Sequence, residues 1–155
     1  METIDVRSVI DKAIMREEEA FAFYTGLHDK VEDPQARDTL KFMAGEEQKH
    51  RDFLVAYRDG RKTFTALKMD DIVDYRLAQG LDVPEVTKDL DSASVYLVAA
   101  NRELASYNFY RSLAGFQPKG ELRDMLKLMA AQEMVHKEKV EYLYSNTAFP
   151  QTAGG

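Results

Sequence analysis

The sequence predicts an all-α protein, a four-helix bundle made of two duplicated helical hairpins joined by a long crossover. Three observations lead there. Apolar residues recur at helical spacing, as in Ile10, Ala13 and Ile14, or Leu40, Met43, Leu54 and Tyr57. Asp, Pro and Gly stand where four helices would start and stop. Finally, the chain repeats itself: Glu47-Gln48-Lys49-His50 returns as Glu133-Met134-Val135-His136. The same displacement carries Glu17 to Glu103, Phe23-Tyr24 to Phe109-Tyr110, Arg37-Asp38 to Arg123-Asp124 and Met43-Ala44 to Met129-Ala130, without a gap.

Asp5 can cap a first helix over residues 6–30, with Ile10, Ala13, Ile14, Glu17, Phe21 and Tyr24 along one side. Asp33-Pro34 pairs an N-cap with Pro at the first helical position, where its missing N–H is not needed. The second helix runs from there to residue 59 and stops at Gly60. Over residues 61–90 the pattern weakens into a crossover, with a short helix at 69–79 ended by Gly80 and a break at Val83-Pro84. Asp91 or Ser92 caps the third helix, which ends at Ala114 with Gly115 as its stop signal. Pro118 and Gly120 mark the turn into the fourth, expected to end near Tyr144. This gives one domain over residues 1–145 (repeat one 6–60, crossover 61–90, repeat two 91–145), followed by a flexible tail at 146–155.

A chain of 155 residues can bury a real core as one domain. Its net charge of −6 argues against a nucleic-acid surface. The absence of Cys excludes disulfides, thiol nucleophiles and Cys-ligated zinc or iron–sulfur sites within these residues. No apolar run is long enough to span a membrane, and Met1-Glu2-Thr3-Ile4-Asp5 has neither the basic nor the apolar region of a signal peptide. A cytoplasmic protein with no membrane partner is the expectation.

The repeated motif carries the chemistry. A Glu and a His three residues apart on a helix share one face, and both can reach one bound ion. Both pairs sit in apolar stripes: Leu40, Met43, Leu54 and Tyr57 flank the first, and Leu126, Met129, Val140 and Leu143 the second. A charged group in a core-facing stripe is costly unless something compensates it. Glu17 and Glu47 are each about a dozen residues from the first turn, so at 1.5 Å per residue both carboxylates lie roughly 18–20 Å from it and face each other. Glu103 and Glu133 stand in the same relation about the second turn. If the repeats pack about a pseudo-twofold axis with equivalent helices antiparallel, four carboxylates and two imidazoles meet mid-bundle.

Four carboxylates so close repel by on the order of several kcal/mol per pair. Two divalent cations cancel their charge, with neutral His completing the ligand set. Two ferric ions with a bridging oxide balance the same charge, which suits redox work. Hard oxygen donors with imidazole fit iron or manganese, and also accommodate zinc. A Glu from each of two helices plus Glu-x-x-His from each of the other two is a recurrent bundle pattern for di-iron and di-manganese carboxylate sites.

These residues resemble the rubrerythrin-like (erythrin-type) members of the ferritin-like superfamily, with a bacterioferritin type of ligand set. The resemblance runs from Ala13 to Tyr144 and is carried by Glu17-x-x-Ala20-x-x-Phe23-Tyr24, Glu47-x-x-His50, Glu103 with Phe109-Tyr110, and Glu133-x-x-His136. It implies that Glu47 and Glu133 bridge two metal ions, that Glu17 and Glu103 are terminal ligands, and that His50 and His136 each bind one ion. It also makes Tyr24 and Tyr110 hydrogen-bond donors to opposing carboxylates. Two departures stand out. Rubrerythrins proper carry a C-terminal rubredoxin-like domain with Cys ligands, absent from this sequence, so an external electron donor such as a separate rubredoxin-like protein is expected. They also place an extra Glu one turn after the third-helix ligand, where this chain has Ser106. With Ser there, the two ions are expected to have nearly equivalent surroundings. The lack of a fifth helix after Tyr144 argues against a bacterioferritin-type cage, and a homodimer is the expectation.

Other candidates have plainer readings. Glu18 and Glu19 suit solvated partners of Arg16 and neighbouring basic residues. His28 falls opposite Ala114 in the repeat and reads as a histidine on the surface or behind the ligands, while Met43, Met129, Tyr96 and Tyr107 read as core. The functional expectation is therefore a di-iron oxidoreductase that oxidises Fe(II) or reduces peroxide or dioxygen. The alternative is a non-catalytic protein that binds or stores iron, manganese or zinc. A degenerate helical interaction module is disfavoured because all six ligand positions are intact.

Overall fold

The computed structural model describes residues 5–63 and 91–148, which form four α-helices. They are α1 (Val6–Lys30), α2 (Pro34–Arg58), α3 (Ser92–Gly115) and α4 (Glu121–Ala148). Three open on an aspartate whose carboxylate accepts from an otherwise unpaired backbone N–H. Asp5 takes Arg7 N at 3.3 Å, Asp33 takes Ala36 N at 2.9 Å, and Asp91 takes Ser94 N at 2.8 Å. Asp33 also accepts the Ser92 hydroxyl, which ties the start of α2 to the start of α3. At the far end of α2, Gly60 (φ 75°) takes the left-handed turn, with Arg61 N on Ala56 O at 2.7 Å and Gly60 N on Tyr57 O at 3.1 Å. That is the Schellman pairing, and it satisfies carbonyls the helix end would otherwise leave open.

α1 and α2 form one antiparallel hairpin and α3 and α4 the other. Cross-hairpin contacts show how they dock. Arg102 lies over the Phe23 ring at 4.9 Å and Arg16 over the Phe109 ring at 5.4 Å. These are the same contact made twice by repeat-related residues, so α1 packs antiparallel to α3 about a pseudo-twofold axis. The core obeys the same symmetry. Leu40, Met43, Ala44 and Tyr24 centre one apolar cluster, and their repeat partners Leu126, Met129, Ala130 and Tyr110 centre the other. Each cluster mixes both hairpins, so neither hairpin has a complete core alone. Between the two clusters lies the polar centre.

The structure departs from the sequence reading in a few places. Phe21, expected on the inner side of α1, is 37% exposed, and Ala20 is buried instead. The inner stripe steps through Glu17, Ala20, Tyr24 and Leu27, leaving Phe21 off the face. Gly115 is the last residue of α3, and the right-handed Phe116 caps it. α4 runs to Ala148 rather than stopping near Tyr144, because no Gly or Pro occurs until Pro150. The proposed short helix at 69–79, and the tail beyond Ala148, lie outside the described residues. No helix among the described residues is long and apolar enough to cross a membrane.

Candidate metal centre

Each of the four helices sends one glutamate inward at mid-bundle. Glu17, Glu47, Glu103 and Glu133 are each at most 1% exposed, and His50 and His136 are 4% exposed. The helical step of three sets each His beside its Glu, and the antiparallel docking of the repeats brings the two pairs together. The rings of His50 and His136 stack at 5.3 Å between centroids, across the pseudo-twofold axis.

The six side chains make two overlapping donor sets. Glu17, Glu47, His50 and Glu133 each place a ligand atom within 4.8 Å of the others, and so do Glu47, Glu103, Glu133 and His136. Glu47 and Glu133 belong to both sets, whereas Glu17 with His50, and Glu103 with His136, belong to one each. Both imidazoles turn Nδ1 toward the carboxylates. His50 Nδ1 is 3.0 Å from Glu133 and 3.6 Å from Glu17; His136 Nδ1 is 3.5 Å from Glu47 and 3.7 Å from Glu103.

Buried polar atoms are nearly always hydrogen-bonded. Here both oxygens of Glu47, one each of Glu17, Glu103 and Glu133, and His136 Nδ1 are buried with no hydrogen-bond partner among the described residues. These atoms belong to residues of the two donor sets. Hard oxygens with one imidazole per set are the donors that ferrous iron, manganese or zinc takes, and two cations would neutralise the four carboxylates. The residues present therefore fit a dinuclear metal centre.

Two tyrosines support it. Tyr24 donates to Glu103 Oε1 at 2.9 Å, with Ala99 O at 3.4 Å, and Tyr110 donates to Glu17 Oε1 at 2.5 Å. Burial, and then the charge of Glu103 or Glu17, pushes both phenols well above their ordinary range, so they remain donors. Each fixes a carboxylate of the opposite repeat, at the positions expected from the sequence.

Burial and mutual repulsion shift the protonation of these crowded groups. Burial and then the Glu17 charge raise Glu47 to about 7. Burial and then the charges of Glu103, Glu47 and Glu17 raise Glu133 well above the carboxylate range. Burial and the Glu47 charge also raise Glu103. Glu17 goes down: burial works against it, but the adjoining Glu47 carboxyl and the neighbouring His50 prevail. Burial likewise opposes protonation of both histidines, yet the surrounding carboxylates raise His50, and raise His136 well above its usual value.

Sequence reasoning missed the groups behind the histidines. His50 Nε2 meets Gln132 Oε1 at 2.6 Å, and His136 Nε2 lies 3.4 Å from Glu46 Oε2. Gln132 and Glu46 are repeat partners, each just before the glutamate of a Glu-x-x-His pair. A polar residue at that place in both copies was the available signal. The remaining candidates lie away from the centre. Glu18 pairs with Arg51 at 3.8 Å, and Glu19 with Arg102 at 3.1 Å rather than with Arg16. His28 contacts Asp29 on the surface side of α1. Met43, Met129 and Tyr96 are fully buried, and Tyr107 holds Arg111 with its hydroxyl. Ser106 is buried at 3% exposure.

The family model described as Rubrerythrin matches residues 8–144, a span that covers all six inward ligand positions and both tyrosines. Neither curated proteins nor solved structures gave a match.

Proposed function

This chain belongs to the rubrerythrin family, and from that premise we propose that it is a di-iron carboxylate oxidoreductase, oxidising Fe(II) and reducing peroxide or dioxygen. The observation that carries this reading is the sharing of Glu47 and Glu133 between two otherwise separate donor sets. A single structural cation would need only one set. Two sets sharing two carboxylates could hold two cations side by side, as other two-metal sites do.

In this reading Glu17 and His50 complete one half, and Glu103 and His136 the other. Bound there, two ferrous ions would supply one electron each, the two that reduction of peroxide to water takes, while the two protons it also takes would come from solvent. The protein's part is to hold that pair in a fixed, dry place. Tyr24 and Tyr110 lock the terminal carboxylates by hydrogen bonds. The two apolar clusters above and below keep bulk water out, so charge is felt strongly at the centre. These residues contain no Cys to hold an electron-transfer centre, so in this reading the electrons that restore the ferrous state reach the pair from a rubredoxin-like donor.

Anaerobic titration with Fe(II), followed by a pulse of peroxide, tests the proposal. Uptake of two ions per chain and rapid appearance of ferric absorption are expected. Uptake without oxidation would assign the chain to metal binding or storage instead. No uptake would overturn the dinuclear reading altogether.

A further inference from the structure

The six inward ligands are related by the pseudo-twofold axis, but what stands behind the histidines is not. His50 has the neutral amide of Gln132 at its Nε2 (2.6 Å), and His136 has the carboxylate of Glu46 (3.4 Å). Both contacts cross from one repeat to the other, and the two residues occupy the same place in the duplication. Glu46 is also held from its other side: Lys49 Nζ contacts Oε1 at 3.0 Å, which leaves Oε2 turned toward the imidazole. Lys49 is three-quarters exposed, so water screens its charge and its main effect is on orientation.

We infer that Glu46 is a positioning residue that makes the two halves of the centre unequal, so that the Glu103–His136 half takes the first cation. The physical basis is the acceptor at the far ring nitrogen. With Nδ1 turned to the metal side, Nε2 carries the proton and needs an acceptor. A carboxylate there polarises the ring toward imidazolate and makes Nδ1 a stronger donor; a neutral amide does so far less. The two donor sets match residue for residue, and the difference between the halves lies one layer out. Glu46 and Gln132 reach the far nitrogens of the two rings, and on this account they act through the rings.

The inference rests on the dinuclear reading above, and cobalt(II), which reports its own coordination by visible absorption, separates the two. Chain stripped of metal is titrated with cobalt(II) against a competing chelator, and crystals grown at one equivalent are measured for anomalous occupancy. In the natural sequence the first ion should bind about 10-fold or more tightly than the second, the usual size of effects from groups behind a ligating His. It should lie in the His136 half. Glu46→Gln should weaken the first step by a similar factor and level the occupancies. Gln132→Glu should strengthen the second step and level them from the other direction. The exchanged variant, Glu46→Gln with Gln132→Glu, should move the first ion to the His50 half, an outcome that no loss of fold or of general negative charge would produce. Equal occupancy in the natural sequence, or a preference unmoved by Glu46→Gln, would overturn the inference while leaving the dinuclear centre standing. Failure to bind cobalt at all would remove both.

Discussion

Tyr110, on α3, places its hydroxyl 2.5 Å from Glu17 Oε1, on α1, and both side chains are buried to within 1% of their surface. Tyr24 repeats the contact in reverse on Glu103. These bonds span the hairpins, so they join the docking of the repeats to the geometry of the candidate metal ligands.

Tyr110→Phe should therefore have two effects. Removing a donor to a charged acceptor costs about 1.5–3 kcal/mol when the acceptor stays buried, so stability should fall by that order. With its carboxylate free to turn, the Glu17 half should also lose about 10-fold in metal affinity. Chemical denaturation and chelator competition read the two separately. If affinity is unchanged while stability falls, the tyrosine serves the fold alone.

Replacement of the shared carboxylates should differ from replacement of the unshared ones. Glu47→Ala or Glu133→Ala removes a donor from both sets, so both ions should be lost together. Glu17→Ala or Glu103→Ala should leave one ion bound. Metal analysis after desalting gives the count directly. A single ion remaining in Glu47→Ala would place that residue in one half only.

Much of this centre was legible because a duplication is a strong constraint. One Glu-x-x-His pair is common on helix surfaces, but two, in register with Glu17 and Glu103 and set in apolar stripes, leave few alternatives. The fold followed from the same fact, since the three Asp caps and Gly60 fixed helix ends by local chemistry alone. What the sequence could not display is the register between helices distant along the chain. Glu46 and Gln132 look like solvent-facing residues until α2 and α4 are docked, and only the docked register sets each against the other repeat's histidine. Phe21 was misplaced for a related reason: the width of a buried stripe depends on what packs against it, and here Ala20 admits the neighbouring helix instead.

A further test concerns assembly. Asp33 caps α2 and also receives Ser92 from the start of α3, so Asp33→Ala should cost more than an ordinary cap, whose loss is typically about 1 kcal/mol. Ser92→Ala should remove only the second contact. The excess should vanish when Asp33→Ala is made in the Ser92→Ala background, as a double-mutant cycle by denaturant melts would reveal. Strict additivity would mean that the Ser92 contact contributes nothing to docking.

The last prediction is the pH dependence of stability, which should have opposite signs with and without metal. In the metal-free chain Glu47 titrates at about 7 when folded, against 4.5 for the ordinary carboxylate. As pH falls from 7 to 4.5 the folded chain binds a proton that the unfolded chain does not yet bind, so stability rises. Glu133 and Glu103 are raised as well and act in the same direction. His50 and His136 are also raised. Their contribution is fully present below 6.5 and is lost as pH climbs through their folded values, which again favours the acid side. Glu17 opposes: its lowered value gives stability above 4.5 that disappears as pH falls further. The melting temperature of the metal-free chain should thus climb as pH drops from about 8 to about 4.5 and turn over below that. The metal-loaded chain should do the reverse, because cations bind the deprotonated ligands and protons compete for them. Its melting temperature should fall over the same interval until the two curves meet. Melts of both forms across that range decide the matter: parallel curves would mean that the titrating carboxylates are not those that hold the metal.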